Sequence, residues 1–366
     1  MKIRHFLIFA FILLGCGVFL SLEGCKPKEP VTEELTVGAI YPLTGPAASL
    51  GQEFTRGATL AVESARNDGF RVKLAVEDSK TDPKSALAAY QKLRLANVRF
   101  MLTTVSGVGL ALEARAREDG ILLFADVAHP SITGRSPLIF RHSSTASKEA
   151  AVIAEALKDK ASEKIAVLWL NDEYGAAFRQ AFLAALGSHR LPSPAHDSAY
   201  TREDVELRST TVAALESKPS QVVIVGSGKQ LGLLIARLRE QGYQGTIIAT
   251  MGFTVTPDAA VAAGDAAGGI FHTYMKIDET DTEYQRFADS YTKKYNSKPP
   301  TFAVLAYNST RLILDTVKNK ATDPKAAAAS ILARSHYKAA GEEMTIQANG
   351  DILPPVALKQ YSGPKK

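Results

Sequence analysis

A repeating rhythm constrains this chain more than anything else in it. From Leu35 onward, short β-branched runs alternate with amphipathic stretches long enough for helices, and the series runs through twice. The first series predicts a strand at 35–41, a helix over 52–67, a strand at 72–77, a helix over 83–95 and a strand at 100–105. A helix over 110–118 and a strand at 121–124 follow. Asp82 and Pro83 supply a cap and a preset first turn for the second helix. After Phe140 the series restarts with a helix over 148–157, a strand at 165–170, a helix over 176–186, a strand at 222–225, a helix over 231–239 and a strand at 246–249. Strands separated by helices of this length pair in parallel and need cover on both faces. The expected fold class is therefore α/β, with two doubly wound parallel-sheet lobes. A strand at 270–273, helices near 283–295 and 302–318 and a hairpin around Asn349 and Gly350 close the chain. Those last helices need a sheet to lie on, and the most economical packing returns them to the first lobe.

A length of 366 residues exceeds one ordinary domain, and 46% hydrophobic against 22% charged residues supports large cores. That balance excludes disorder, collagen-like repeats and a polytopic membrane protein. The net charge of +5 is spread along the chain with no basic arm, so nucleic acid is not an expected partner. Both cysteines, Cys16 and Cys25, lie near the start, which leaves the body without a thiol for a disulfide, a zinc site or a Cys nucleophile. Lys2 and Arg4 precede an apolar run over 6–22, followed by Glu23, Gly24 and Cys25. This pattern predicts a secretory signal peptide at 1–24, with an uncleaved anchor as the alternative. A small residue before cysteine resembles the lipobox at which bacterial lipoproteins are cut and acylated. Cys25 is preferred over Cys16 as the lipidated residue, because cutting at Cys16 would leave 17–22 as an apolar mature terminus. Residues 25–34, with Pro27 and Pro30, read as a tether to an extracytoplasmic, lipid-anchored body.

In open parallel sheets, ligands sit outside the carboxyl ends of the strands. The candidate contact loops are then 42–51, 106–108, 125–130, 171–175, 226–229 and 250–253. Catalytic signatures are weak in them. Residues 105–109 lack the first glycine of a nucleophile elbow around Ser106, and 226–229 lack the upstream glycine and the Ser or Thr of a phosphate loop. His189 and His196 have no metal-ligand spacing, so no metal and no cofactor are expected. His129 is a candidate ligand contact or a solvated loop histidine, and Tyr41, Tyr174, Phe253 and Tyr274 are core or rim aromatics.

A resemblance runs through nearly the whole body. Leu43, Thr44, Gly45, Pro46, Ala47, Ala48 and Gly51 follow the first strand, Gly57 and Ala58 lie in the first helix, and Asp78, Asp82 and Pro83 follow the second strand. Asp119 to Leu122, Phe140 with Arg141, and Asp172, Tyr174 and Gly175 complete the order. The chain resembles periplasmic binding proteins of the leucine/isoleucine/valine type, the solute receptors of ABC transporters. The resemblance implies three hinge crossovers, near 142–144, 274–276 and 338–341. Lobe 1 would then hold 35–143 with 276–337, and lobe 2 would hold 144–275 with 338–366. It also implies a small-molecule ligand, ABC permease and ATPase partners and no enzymatic activity. By the same resemblance, Ser106 and Gly107 hold a carboxylate, Asp126 and Ala128 stand where the family holds an ammonium, and Tyr174 is an aromatic lid. Ser227 replaces a family tyrosine, and Met251 stands where the family has the acid that pairs the ammonium. Asp126 is then the acid of the cleft loops expected to replace it. The ligand is then either an amino acid whose ammonium Asp126 pairs or a carboxylic acid with an apolar or aromatic body; with Leu50, Met251 and Phe253 lining an apolar body, the second is preferred. A sensory receptor and a Ser106-dependent secreted hydrolase are the alternatives.

Overall fold

A computed structural model describes residues 34–363 apart from 161–162, 205, 256 and 320. The expected signal peptide, most of the tether and the lipidation at Cys25 lie outside the described residues.

The first series forms β1 (Leu35–Tyr41), α1 (Ala48–Asn67), β2 (Val72–Asp78), α2 (Pro83–Leu95), β3 (Phe100–Thr104), α3 (Ser106–Asp119), β4 (Leu122–Asp126) and β5 (Ile139–His142). The second forms α4 (Ala146–Leu157), β6 (Ile165–Leu170), α5 (Glu173–Ser188), β7 (His196–Tyr200), α6 (Arg208–Glu216), β8 (Gln221–Val225), α7 (Lys229–Glu240), β9 (Thr246–Ala249), α8 (Pro257–Ala263) and β10 (Phe271–Met275). Then come α9 (Thr282–Tyr295), α10 (Thr301–Lys318), α11 (Pro324–Arg334), β11 (His336–Ala339), β12 (Glu342–Thr345), β13 (Asp351–Ile352) and β14 (Val356–Gln360).

One sheet has the order β13-β5-β4-β3-β1-β2 and the other β14-β10-β9-β8-β6-β7. Within these two sheets every pairing is parallel except that of β14 on β10. Both faces of each sheet are covered, as the continuous apolar strands require. Along β1, Val37, Ala39 and Tyr41 enter one core while Ile40 enters the core on the opposite face. Along β6, Ala166, Leu168 and Leu170 face one core and Ile165 and Val167 the other. Helices α9 and α10 return to the first lobe, where Leu312, Ile313 and Val317 join its core and Phe287 and Tyr291 pack near Leu60 of α1.

The chain passes from the first sheet to the second between β5 and α4, and back between β10 and α9. The third passage differs from the expectation at 338–341. Those residues are the end of β11 and the turn of the β11–β12 hairpin, whose Ala339 and Met344 are buried in the lobe 1 core. The chain then adds β13 beside β5 and crosses over 353–355, where Pro354 and Pro355 end strand pairing. The apolar side of the hairpin fixes it to lobe 1, so the crossing comes later. Around Asn349 and Gly350 there is a tight turn bridged by Ile346 and Ile352 rather than a full hairpin.

Candidate functional site

The strand order reverses between β1 and β3 in one lobe and between β6 and β8 in the other. Loops diverge at such points and leave a crevice. A cavity of about 100 Å³ lies there, bounded by both lobes. Lobe 1 lines it with Pro46, Ala47, Ser49 and Leu50 after β1, Thr104 to Ser106 after β3, Asp126 to Ala128 after β4, and Phe302 of α10. Lobe 2 supplies Glu149, Asp172, Tyr174, Arg202, Gly226 to Gly228, Met251, Gly252 and Val255, and Ser143 of the first crossing adds to the lining.

The lobe 1 wall is built on the start of α3. This helix begins directly at Ser106 rather than near 110, so its first turn forms the edge of the cavity. Its first N–H groups have no acceptor within the helix, and the cap residue, Val105, has no side chain to bond them. Val105 holds φ +70°, a conformation costly for a β-branched residue and characteristic of strained functional turns. Ser106 is 6% exposed and lines the cavity. Gly107 does not line it: a Cβ there would lie 2.6 Å from the Glu173 carboxylate of α5, so this glycine serves the close approach of the two lobes.

Asp126 and Ala128 line the same wall, but their carbonyls are engaged. Thr104 Oγ1 donates to the Asp126 carbonyl at 3.0 Å, and the Ala146 N–H donates to the Ala128 carbonyl at 3.0 Å. Burial pushes the Asp126 carboxyl up to about 7, although His142 and a hydrogen bond from Ser309 Oγ at 3.2 Å favour its anion. His142 is itself buried, yet the Glu342 carboxylate 2.6 Å from its Nε2 raises it above the usual histidine range. Asp126 therefore belongs to a buried chain running through Ser309 and His142 to Glu342, beside the crossing that follows β5.

Asp126 lines the cavity, and lobe 2 brings two further acids to it. Glu149, 1% exposed, stands in the first turn of α4 and accepts from the Met251 N–H at 2.6 Å, from Tyr174 Oη at 2.5 Å and from Thr273 Oγ1. Burial raises its pKa despite these three donors. An acid thus arrives beside Met251, from α4 rather than from the loop after β9. Its signal in the sequence is an acid within the apolar stripe Ala146, Ala150, Ile153, Ala154 and Leu157. Asp172 caps α5 by accepting from the Gly175 N–H at 2.8 Å and pairs with Arg202 Nη2 at 2.9 Å.

Tyr174 sits in the first turn of α5, its hydroxyl spent on Glu149 and its ring on the cavity wall. Ser227 Oγ accepts from Arg202 Nη1 at 3.4 Å. Leu50 and Met251 line the cavity as expected. Phe253 and Tyr41 are core residues, fully buried behind it. His129 is also outside the lining: its Nδ1 accepts from the Ser131 N–H at 3.2 Å and its carbonyl from Arg141 at 2.7 Å.

On both sides of the cavity the lobes meet. Ser49 of α1 donates to Asp258 of α8, and Gly107 of α3 packs against Glu173 of α5. Two doubly wound lobes holding a solute-sized cavity between their strand ends define a bilobal solute-binding protein. Known proteins agree with that class. The chain belongs to the periplasmic binding protein family, whose model matches residues 34–360. It is 28% identical over 333 residues to the Leu/Ile/Val-binding protein homolog 3 of Brucella melitensis, covering 88% of this chain and 89% of that one. Its fold is similar to that of a leucine-binding protein from Thermotoga maritima, with a TM-score of 0.81 at 19% identity over 90% of this chain and 95% of that one. It is also similar to an ABC-transporter solute-binding protein from R. palustris in complex with benzoate, with a TM-score of 0.79 at 24% identity over 89% and 92% of the two chains.

Proposed function

We propose that this chain is the extracytoplasmic receptor of an ABC importer, capturing a small carboxylic acid between its lobes and handing it to the permease without altering it. The observation that carries the reading is the open first turn of α3 at the cavity edge, with Ser106 beside it and apolar Leu50, Val127 and Phe302 around it. Neutral N–H and hydroxyl donors in a dry site are each worth about 1.5–3 kcal/mol to a charged acceptor. A carboxylate also complements the positive end of the helix. Burial, which favours the neutral form of the Asp126 carboxyl, weighs against an ammonium on the lobe 1 side. The branched-chain amino-acid names of the relatives, together with Glu149, favour a second reading in which an α-amino acid places its ammonium against lobe 2.

A thermal-shift screen of the soluble body against amino acids, aromatic acids and aliphatic acids tests the first reading. A ligand at a hundred times its Kd adds about 2.7 kcal/mol of stability. Stabilisation by simple acids is the expected result; stabilisation by α-amino acids alone would favour the second. The lipid anchor at Cys25 is part of the proposal: Cys25→Ser is expected to release the protein from membranes, and a diacylglyceryl group found on Cys16 would overturn it.

A further inference from the structure

Arg202 is the one cation among the described residues that line the cavity, and it shares that lining with three carboxylates, Asp126, Glu149 and Asp172. Each carboxylate has its donors already, as described above. Arg202 differs. A guanidinium offers five N–H donors in a fixed fork. Among the described residues its bonds are one to Asp172 Oδ2 at 2.9 Å and one to Ser227 Oγ at 3.4 Å. Its side chain is 16% exposed, so its remaining donors have limited access to water. An acceptor carried by the ligand would meet them.

The chemistry of that acceptor follows from its neighbours. A second carboxylate would be drawn to Arg202 but placed among three acids, with one cation to offset them. A hydroxyl suits the pair on both counts. It can accept from Arg202 and donate to Asp172, whose two oxygens take the Gly175 N–H and one N–H of Arg202 Nη2 and still have lone pairs to offer. We propose that Arg202 and Asp172 form a hydroxyl-recognising subsite, so that the favoured solute is a hydroxylated carboxylic acid with its acid group on lobe 1 and its hydroxyl on lobe 2. This rests on the carboxylate reading above.

Calorimetry with benzoate, 3- and 4-hydroxybenzoate and terephthalate tests it. The better hydroxybenzoate is expected to bind at least about tenfold tighter than benzoate, and terephthalate more weakly than benzoate, because a site that pairs a hydroxyl leaves its polar groups unmatched without one. In the double variant Arg202→Met/Asp172→Asn, whose asparagine keeps an acceptor for the α5 cap and leaves no orphaned charge, the hydroxybenzoate-to-benzoate ratio is expected to fall below about threefold. A ratio preserved in that variant, or equal binding of benzoate and both hydroxybenzoates by the wild type, overturns the subsite. If the double variant does not fold, Arg202→Lys keeps a charge for Asp172 but not the fork, and an undiminished ratio there overturns it equally. Binding of an α-amino acid with none of the four acids bound defeats the carboxylate reading itself. Benzoate binding without preference defeats the subsite alone.

Discussion

The two walls of the cavity are built on opposite plans. The lobe 1 wall is the open first turn of a helix, with neutral donors and an acid whose proton affinity burial has raised. The lobe 2 wall is charged and already interlocked, with Glu149 joining α4 to Met251, Tyr174 and Thr273, and Asp172 joining α5 to Arg202. A wall with unspent donors suits anchoring a group common to many solutes. One whose polar groups are mostly satisfied discriminates by what it still lacks. The comparison teaches that anchoring and selectivity can be divided between the two walls of one cavity.

The sharpest way to break this contrast is at Glu149. Glu149→Ala strands a buried N–H and two hydroxyls and is expected to cost about 3–5 kcal/mol of stability, read by urea denaturation. Glu149→Gln should cost clearly less. Equal, small losses for both would show that the lobe 2 wall is not interlocked. On lobe 1, Ser106→Ala is expected to weaken carboxylate binding by about 1.5–3 kcal/mol in calorimetry. Its effect on stability should stay within about 0.5 kcal/mol, since its donors serve the ligand and not the fold.

Asp126 sharpens the comparison through pH. Its carboxyl titrates at about 7 in the folded chain, against about 4 when unfolded. The folded state therefore keeps a proton that the unfolded state loses over that interval. The stability from this group is full below about pH 4, declines as pH rises to about 7, and is constant above. Asp126→Asn removes the decline, so the variant should gain on the wild type as denaturation is repeated from pH 4 to pH 7, and a constant difference would contradict the burial. The smallest effect is expected at the rim. Ser49→Ala removes the hydrogen bond to Asp258 that spans the lobes and should lower affinity by about 1 kcal/mol, through faster ligand release.

The alternation of strands and helices was legible because a doubly wound lobe needs apolar strands and one-sided helices. The elements that escaped it follow other rules. β7 carries His196, Asp197 and Ser198 because it is an edge strand and mostly half-buried, so no apolar run marks it. α11 is rich in alanine and announced chiefly by its Asp323 cap and Pro324. For the cavity, loops at strand ends were found by topology, which placed Ser106, Asp126, Ala128, Tyr174, Ser227, Met251 and Leu50 on its lining. Glu149 and Arg202 were missed because neither lies in the loops first singled out: one is inside a helix and the other follows the edge strand. Only packing brings them to the cavity.

A crystal structure of the protein with a bound carboxylic acid tests the central claim most directly. The account predicts the acid group within hydrogen-bond distance of Ser106 Oγ and the first-turn N–H groups of α3, with the body of the ligand against Leu50, Val127 and Phe302. A ligand whose carboxylate instead lies on Arg202, with Ser106 untouched, would contradict it.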